Sequence, residues 1–350
     1  MINIKILISS NDCILGEFMA VTIMDIAKEV GVSPSTVSRV ISGKAKISDE
    51  TKNKINKAMK EMNYYPNIQA RSLATGLSNM IGLVINTNQK GFFSNVFFNS
   101  SVFGIEKIIQ DNNYNLLITN NQKSNEKKSS VEKLLFENKV DGLILPPSIL
   151  SSQLIKDLKR SETPYVILGE PDIHKNTVNW VDINNYLGSI LAVEHLKEEN
   201  FKNIGYIGGN ILEVFSKNRI KGYKDTIEND EKYYKCESDK ELAFKLALDI
   251  LSKDQIDALV CNDNIVAYGV IKAAKKLGIK IPNELGLVTF DNFPLAEFTD
   301  PELTAICVDT YQQGEQAAKM LFESINGNQT IRNTMVNPTI VIRESSRRNK

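Results

Sequence analysis

The sequence predicts an α/β protein in which a small three-helix head precedes a two-subdomain body built on parallel sheets. Two observations carry the body. From residue 81 onward short apolar runs recur with amphipathic stretches between them, and strands alternating with helices give parallel sheets covered on both faces. Residues 81–350 are also too many for one comfortable sheet, which favours two similar subdomains. A third observation carries the head: residues 21–66 hold three apolar stripes at helical spacing, punctuated by glycine and serine.

In the first stripe Ile23, Ile26, Ala27 and Val30 share one helix face, and Gly31 follows. Glycine takes a left-handed C-cap without steric cost. Ser33 reads as the N-cap of a second helix and Pro34 as its first residue, where the missing N–H loses nothing. Val37, Val40 and Ile41 then point one way, Ser35, Ser38 and Arg39 another, and Gly43 closes the helix. Ser48, followed by Asp49 and Glu50, caps a third helix with Ile55, Ala58, Met59 and Met62 on its apolar face. Such a trio is either a plain three-helix bundle or a helix-turn-helix unit. The polar face of the second helix favours the unit, because short side chains let a helix approach base edges and arginine can take guanine O6 and N7 together.

Charge agrees with a nucleic-acid-binding head. Lysine plus arginine and aspartate plus glutamate each total 42, yet residues 21–80 hold nine basic and five acidic residues. A small basic head on a mildly acidic body is expected when only the head meets a polyanion.

In the body, strands are expected at 81–85, 115–118, 142–145, 165–168, 204–207, 258–261 and 285–290, and helices at 102–112, 184–199, 239–252 and 264–277. Ligands of such folds sit at the carboxyl ends of the strands, in a cleft between subdomains. Trp180, the sole tryptophan, precedes Asp182 at a strand end near that cleft and reads either as a sugar-stacking ring or as a buried one.

Other classes lack their signatures. Cys13, Cys236, Cys261 and Cys307 are scattered, and His174 and His195 are the only histidines. Neither a metal site nor a disulfide framework is expected, no cofactor is implied, and a reducing compartment fits. There is no P-loop, GxSxG or HExxH motif, so the chain does not read as an enzyme. No run approaches the roughly 20 apolar residues of a membrane span. Residues 1–20 make a poor signal peptide, and Gly16-Glu17, which can be encoded by a purine run resembling a bacterial ribosome-binding site, points to translation starting at Met19.

The residues from Val21 to Ala27, Gly31-Val32-Ser33-Pro34-Ser35-Thr36-Val37-Ser38-Arg39-Val40, Tyr65-Pro66-Asn67 and Ala70-Arg71-Ser72-Leu73-Ala74 resemble the headpiece and hinge of the LacI/GalR family. The resemblance implies that Thr22, Ser33, Thr36, Ser38 and Asn67 anchor phosphates, while Pro34, Ser35 and Arg39 read bases in the major groove. Segment 68–74 would be a hinge helix that folds on DNA. Leu73 would wedge into the central minor-groove step, where an apolar side chain between unstacked bases kinks the duplex. Thr36 also reads as a plain surface residue and Thr22 as a plain N-cap.

The same resemblance runs through the body, to the periplasmic-binding-protein-like effector domain of the family. It rests on Val140-Asp141-Gly142-Leu143-Ile144, Arg219-Ile220-Lys221-Gly222-Tyr223, Asn262-Asp263, Phe290-Asp291-Asn292 and Pro301-Glu302-Leu303-Thr304. It implies effector contacts at Arg219, Asn262 and Asp291, whose groups suit vicinal hydroxyls. It also implies aromatic contacts at Phe97 and Phe98, which otherwise read as core. Val96 stands where family members commonly have proline, and Asp263 reads as a helix cap. Segments 90–94, 168–169, 180–182 and 215–219 look most like maltose and maltodextrin operon repressors of low-GC Gram-positive bacteria.

The implied organisation is an extension (1–20), a DNA-binding domain (21–66), a hinge and linker (67–80) and an effector-binding and dimerisation domain (81–350). The implied protein is a cytoplasmic homodimer on a double-stranded, palindromic operator, released by a small sugar, with no membrane partner. Two readings compete: a catabolite co-regulator of the same family using a phosphorylated carrier protein, and a solute-binding protein for sugar transport.

Overall fold

The computed structural model describes residues 21–42, 47–64, 76–85, 96–121, 129–228, 231–328 and 330–348. The chain divides into two compact units between Ser78 and Asn79. The extension 1–20 with its Met19 start, Gly43, Asn67, the hinge helix 68–74 with Leu73, and the segment 90–94 lie outside the described residues.

In the first unit α1 (Ile23–Val30), α2 (Pro34–Ser42) and α3 (Asp49–Glu61) form as their caps dictate. Thr22 and Asp25 make a reciprocal capping box, with the Thr22 N–H donating to Asp25 Oδ2 at 2.8 Å. Gly31 ends α1 in the left-handed region at φ 71°. Ile26, Ala27, Val37, Ile55 and Ala58 are buried together, and Val40, Ile41, Met59 and Met62 pack on them. All three expected stripes meet in one core.

The second unit begins with β1 (Met80–Ile85), α4 (Val96–Asp111), β2 (Asn115–Asn120), α5 (Ser130–Phe136), β3 (Gly142–Leu145), α6 (Ser152–Ser161), β4 (Tyr165–Leu168) and β5 (Trp180–Ile183). It continues with α7 (Asn185–Glu198), β6 (Ile204–Ile207), α8 (Val214–Thr226), β7 (Tyr233–Tyr234), α9 (Lys240–Lys253), β8 (Ala258–Cys261), α10 (Asn264–Leu277), β9 (Gly286–Phe290) and β10 (Thr304–Cys307). Last come α11 (Thr310–Ile325), β11 (Asn333–Val336) and β12 (Thr339–Val341). One sheet has the order β11-β5-β4-β3-β1-β2 and the other β12-β10-β9-β8-β6-β7. Every neighbouring pair is parallel except β10 with β12, which departs from the all-parallel expectation at one edge.

Each sheet is covered on both faces. In the first, α4 and α11 bury Ile105, Ile109 and Leu321 against Ile81 and Ile144, while α5 and α6 bury Leu135 and Leu158 against Leu143 and Ile167. In the second, α9 and α10 pack on Leu259 and Leu287, and α7 and α8 on Val260 and Val288. The α4–α11 contact is backbone on backbone. A Cβ on Gly104 would meet the Tyr311 carbonyl oxygen at 2.1 Å, and one on Gly314 the Ser101 carbonyl oxygen at 2.1 Å.

The chain crosses between the two sheets three times, at Ile183–Asn185, Cys307–Thr310 and Val336–Thr339. Two crossings are tied together: the Asn184 N–H donates to the Val336 carbonyl at 2.8 Å, and its side-chain amide to Asn337 Oδ1 at 3.0 Å. Residues 343–346 return to the second sheet. There Ser346 Oγ lies 2.7 Å from His195 Nε2 and 2.6 Å from Thr304 Oγ1, all three residues buried.

Candidate functional site

In the head, the second helix shows an exposed polar face. Ser33, Pro34, Ser35 and Arg39 are exposed, Thr36 and Ser38 half-buried, and Val37 fully buried on the opposite side. Ser33 caps α2 by accepting the Thr36 N–H at 3.2 Å, and its Oγ sits 2.7 Å from Ser35 Oγ and 2.9 Å from Thr36 Oγ1. Thr22 is exposed at the head of α1, where it also serves as cap. This cluster places short hydroxyls and a guanidinium on one convex face, the chemistry a major-groove helix uses.

In the body, the carboxyl ends of the strands line a cleft of about 630 Å³. The β1 end supplies Leu83 and Ile85, the β5 end Asp182 and Ile183, the residue after β9 Asp291, and α8 Arg219. Arg219 is buried and wired on three sides. Its Nε donates to Asn185 Oδ1 at 2.8 Å, Nη1 to the Asn262 carbonyl at 2.6 Å, and Nη2 to Asp291 Oδ1 at 3.4 Å. Its guanidinium lies 4.0 Å from the Phe290 ring centroid, a cation–π contact. Asp291 sits at φ 70°, a left-handed conformation that turns its carboxylate back toward Arg219. Burial raises its pKa, and the Arg219 charge opposes that rise.

Asp182 shares the floor. Its Oδ1 accepts the Ile183 N–H at 2.8 Å and the Gln313 side-chain amide at 3.3 Å. Burial pushes its carboxyl up to about 6. Glu170 is buried at the rim, where it pairs with Lys175 and accepts the Asn218 side-chain amide at 2.8 Å. The cleft thus gathers carboxylates, amides and one guanidinium away from water, a set of donors and acceptors suited to a polar ligand.

Comparisons with known proteins agree with both halves. Residues 22–67 match the family described as bacterial regulatory proteins, lacI family, and residues 193–346 the periplasmic binding protein-like domain. The chain is 32% identical to the transcriptional regulator MalR of Streptococcus pneumoniae over 322 residues, covering 89% of this chain and 94% of that protein. The chain belongs to the LacI family. It is 29% identical to catabolite control protein A of Staphylococcus xylosus, covering 88% of this chain and 93% of the relative. Among solved structures, the lac repressor dimer bound to operator and an anti-inducer superposes with a TM-score of 0.75 at 21% identity, covering 93% of this chain and 99% of that one.

As a LacI-family protein it is a DNA-binding regulator rather than an enzyme. The structure brings Phe97, Phe98, Arg219 and Asp291 together in the cleft lining. The two phenylalanines also pack against the first core, as their core reading expects. Asn262 does not line the cleft. The Tyr206 hydroxyl donates to its Oδ1 at 2.9 Å, and its carbonyl bears on the site by accepting from Arg219. Trp180 is buried in a core with its indole N–H donating to the Lys175 carbonyl, which settles it as packing. Asp263 caps α10 by accepting the Val266 N–H at 3.0 Å. Sequence reasoning missed Glu170, Asn185, Glu213 and Gln313 as lining residues. Among the described residues, no helix is long and apolar enough to cross a membrane and no metal-ligand cluster occurs.

Proposed function

We propose that this chain is a cytoplasmic repressor that holds a palindromic operator as a homodimer and is released when its cleft takes up a neutral sugar, maltose or a maltodextrin. The head would dock with Pro34, Ser35 and Arg39 on base edges and Thr22, Ser33, Thr36 and Ser38 on phosphates, with Asn67 and Leu73 contributing from the segment beyond. The observation that carries the sugar reading is the buried Arg219, fixed by Asn185, the Asn262 carbonyl and Asp291 at the base of the cleft. Such a preset guanidinium–carboxylate pair grips vicinal hydroxyls with charge-assisted bonds. Glu170, Asp172, Asp182, Glu213 and Asp291 line the cleft against one arginine, which disfavours phosphorylated effectors. Sugar binding better to one arrangement of the two subdomains would weaken the operator-bound form.

Fluorescence anisotropy on promoter DNA at fixed salt tests this, with maltose, maltotriose, ribose and glucose 6-phosphate added in turn. Release by the neutral glucosides is expected. Indifference to all of them, with release or tightening only by a phosphorylated carrier protein, would favour the co-regulator reading, which the likeness to catabolite control protein A keeps in view.

A further inference from the structure

The cleft has two zones. Its floor is polar and buried: Asp182, Asn185 and Arg219 are 7%, 3% and 6% exposed. Its outer wall is apolar and open. Leu212, just before α8, is 80% exposed and Phe215, in the first turn of α8, 37% exposed, and both line the same cavity as the floor. From the first sheet's side, Pro146 and Pro147 line that cavity too. Phe215 is oriented by the floor, since its ring centroid lies 5.2 Å from the Arg219 guanidinium. Large apolar side chains left open beside a built polar site mark surface that a ligand covers.

Volume points the same way. At about 630 Å³ the cavity has room for about twenty waters of ~30 Å³ each, well beyond what one hexose of about a dozen heavy atoms displaces. A pyranose ring presents hydroxyls at its edge and an apolar C–H face. A floor that takes the edge of one ring and a wall that takes the face of the next suit a glycosidically linked pair. We infer that Leu212 and Phe215, with Pro146 and Pro147, form an outer subsite for a second pyranose ring. This subsite makes the protein select a disaccharide or longer glucoside over a monosaccharide. Glu213, between the two apolar residues and also lining the cavity, supplies an acceptor for hydroxyls of that outer ring. The inference rests on the sugar reading above and names which part of the sugar each wall recognises.

Isothermal titration of the full-length protein with glucose, maltose and maltotriose tests it, alongside the variants Leu212→Ser, Phe215→Ser and Phe215→Tyr. Both positions are exposed, so thermal melts of the variants should match the parent. Maltose is expected to bind at least about ten-fold tighter than glucose. Either serine variant should lose about five-fold or more of maltose affinity with glucose unchanged, and Phe215→Tyr should retain it. Equal binding of glucose and maltose by the parent, or serine variants that bind maltose as well as it does, would overturn the subsite. Serine variants that weaken both sugars alike would overturn it too. If no saccharide binds the parent while a phosphorylated effector or carrier protein does, the sugar reading itself fails and the subsite falls with it.

Discussion

Asp182 shows what a dry cleft asks of one side chain. Its carboxyl is held up to about 6 by burial, against an unfolded value of 3.8. The folded protein therefore binds this proton more tightly than the unfolded chain does. Its contribution is fully present below about pH 4 and is lost as pH rises to about 6, leaving a deficit of about 3 kcal/mol at most at neutral pH. Asp182→Asn should raise the melting temperature at neutral pH and hardly change it near pH 4. Melts across that window check it; a gap that does not widen with pH would sink the account. In the head, Arg39→Ala should cost about 1–3 kcal/mol of operator affinity and relax base discrimination. Anisotropy on operator and scrambled duplexes reads this, and equal loss on both would place Arg39 on phosphate instead. Arg219 and Asp291 were legible because each sits inside a local motif. Gln313 was not, because it reaches Asp182 only when α11 returns to the first sheet, 131 residues along the chain.

Among the elements, the α4–α11 pair is the tightest joint. With Gly104 and Gly314 each facing the other helix's carbonyls, no side chain separates the two backbones. An added methyl at 2.1 Å from a main-chain oxygen cannot be relieved by a rotamer, so the helices must part. Gly314→Ala should therefore destabilise the body by about 1–3 kcal/mol or more, despite alanine's better helix propensity. Urea unfolding of the variant measures it, and an unchanged midpoint would mean that the helices separate freely. Most strands that could be read from the sequence are buried on both faces, such as β3, β8 and β9, where every residue is covered and the run stays apolar. The half-exposed edge strand β2 was read from its Leu116-Leu117-Ile118 run. The edge strands β7, β11 and β12 went unread because they are short or half-exposed and carry no such run. The inner strand β10, Thr304–Cys307, went unread because it opens on threonine and carries Ile306 as its one large aliphatic residue.

For the whole molecule, if sugar and operator compete through the arrangement of the body as proposed, their coupling must be reciprocal. If maltose lowers operator affinity by some factor, saturating operator must lower maltose affinity by the same factor. Titrating sugar with and without bound duplex checks this, and a maltose affinity untouched by saturating operator would show that the two ligands are not coupled. Fold class, the head's three helices and the alternation of the body were all visible in local pattern. The division of the cleft into a polar floor and an apolar wall was not, since its walls come from different sheets and meet only through the three crossings.

Those crossings also set a timetable for the ribosome. Helix α11, strand β11 and strand β12 all lie beyond residue 309, and they supply the cover and one edge of the first sheet and one edge of the second. The head can fold as soon as it leaves the exit tunnel. Neither half of the body can be finished until the codons beyond residue 309 are read, so a message cut short there would yield a DNA-reading head attached to two open-edged, aggregation-prone sheets.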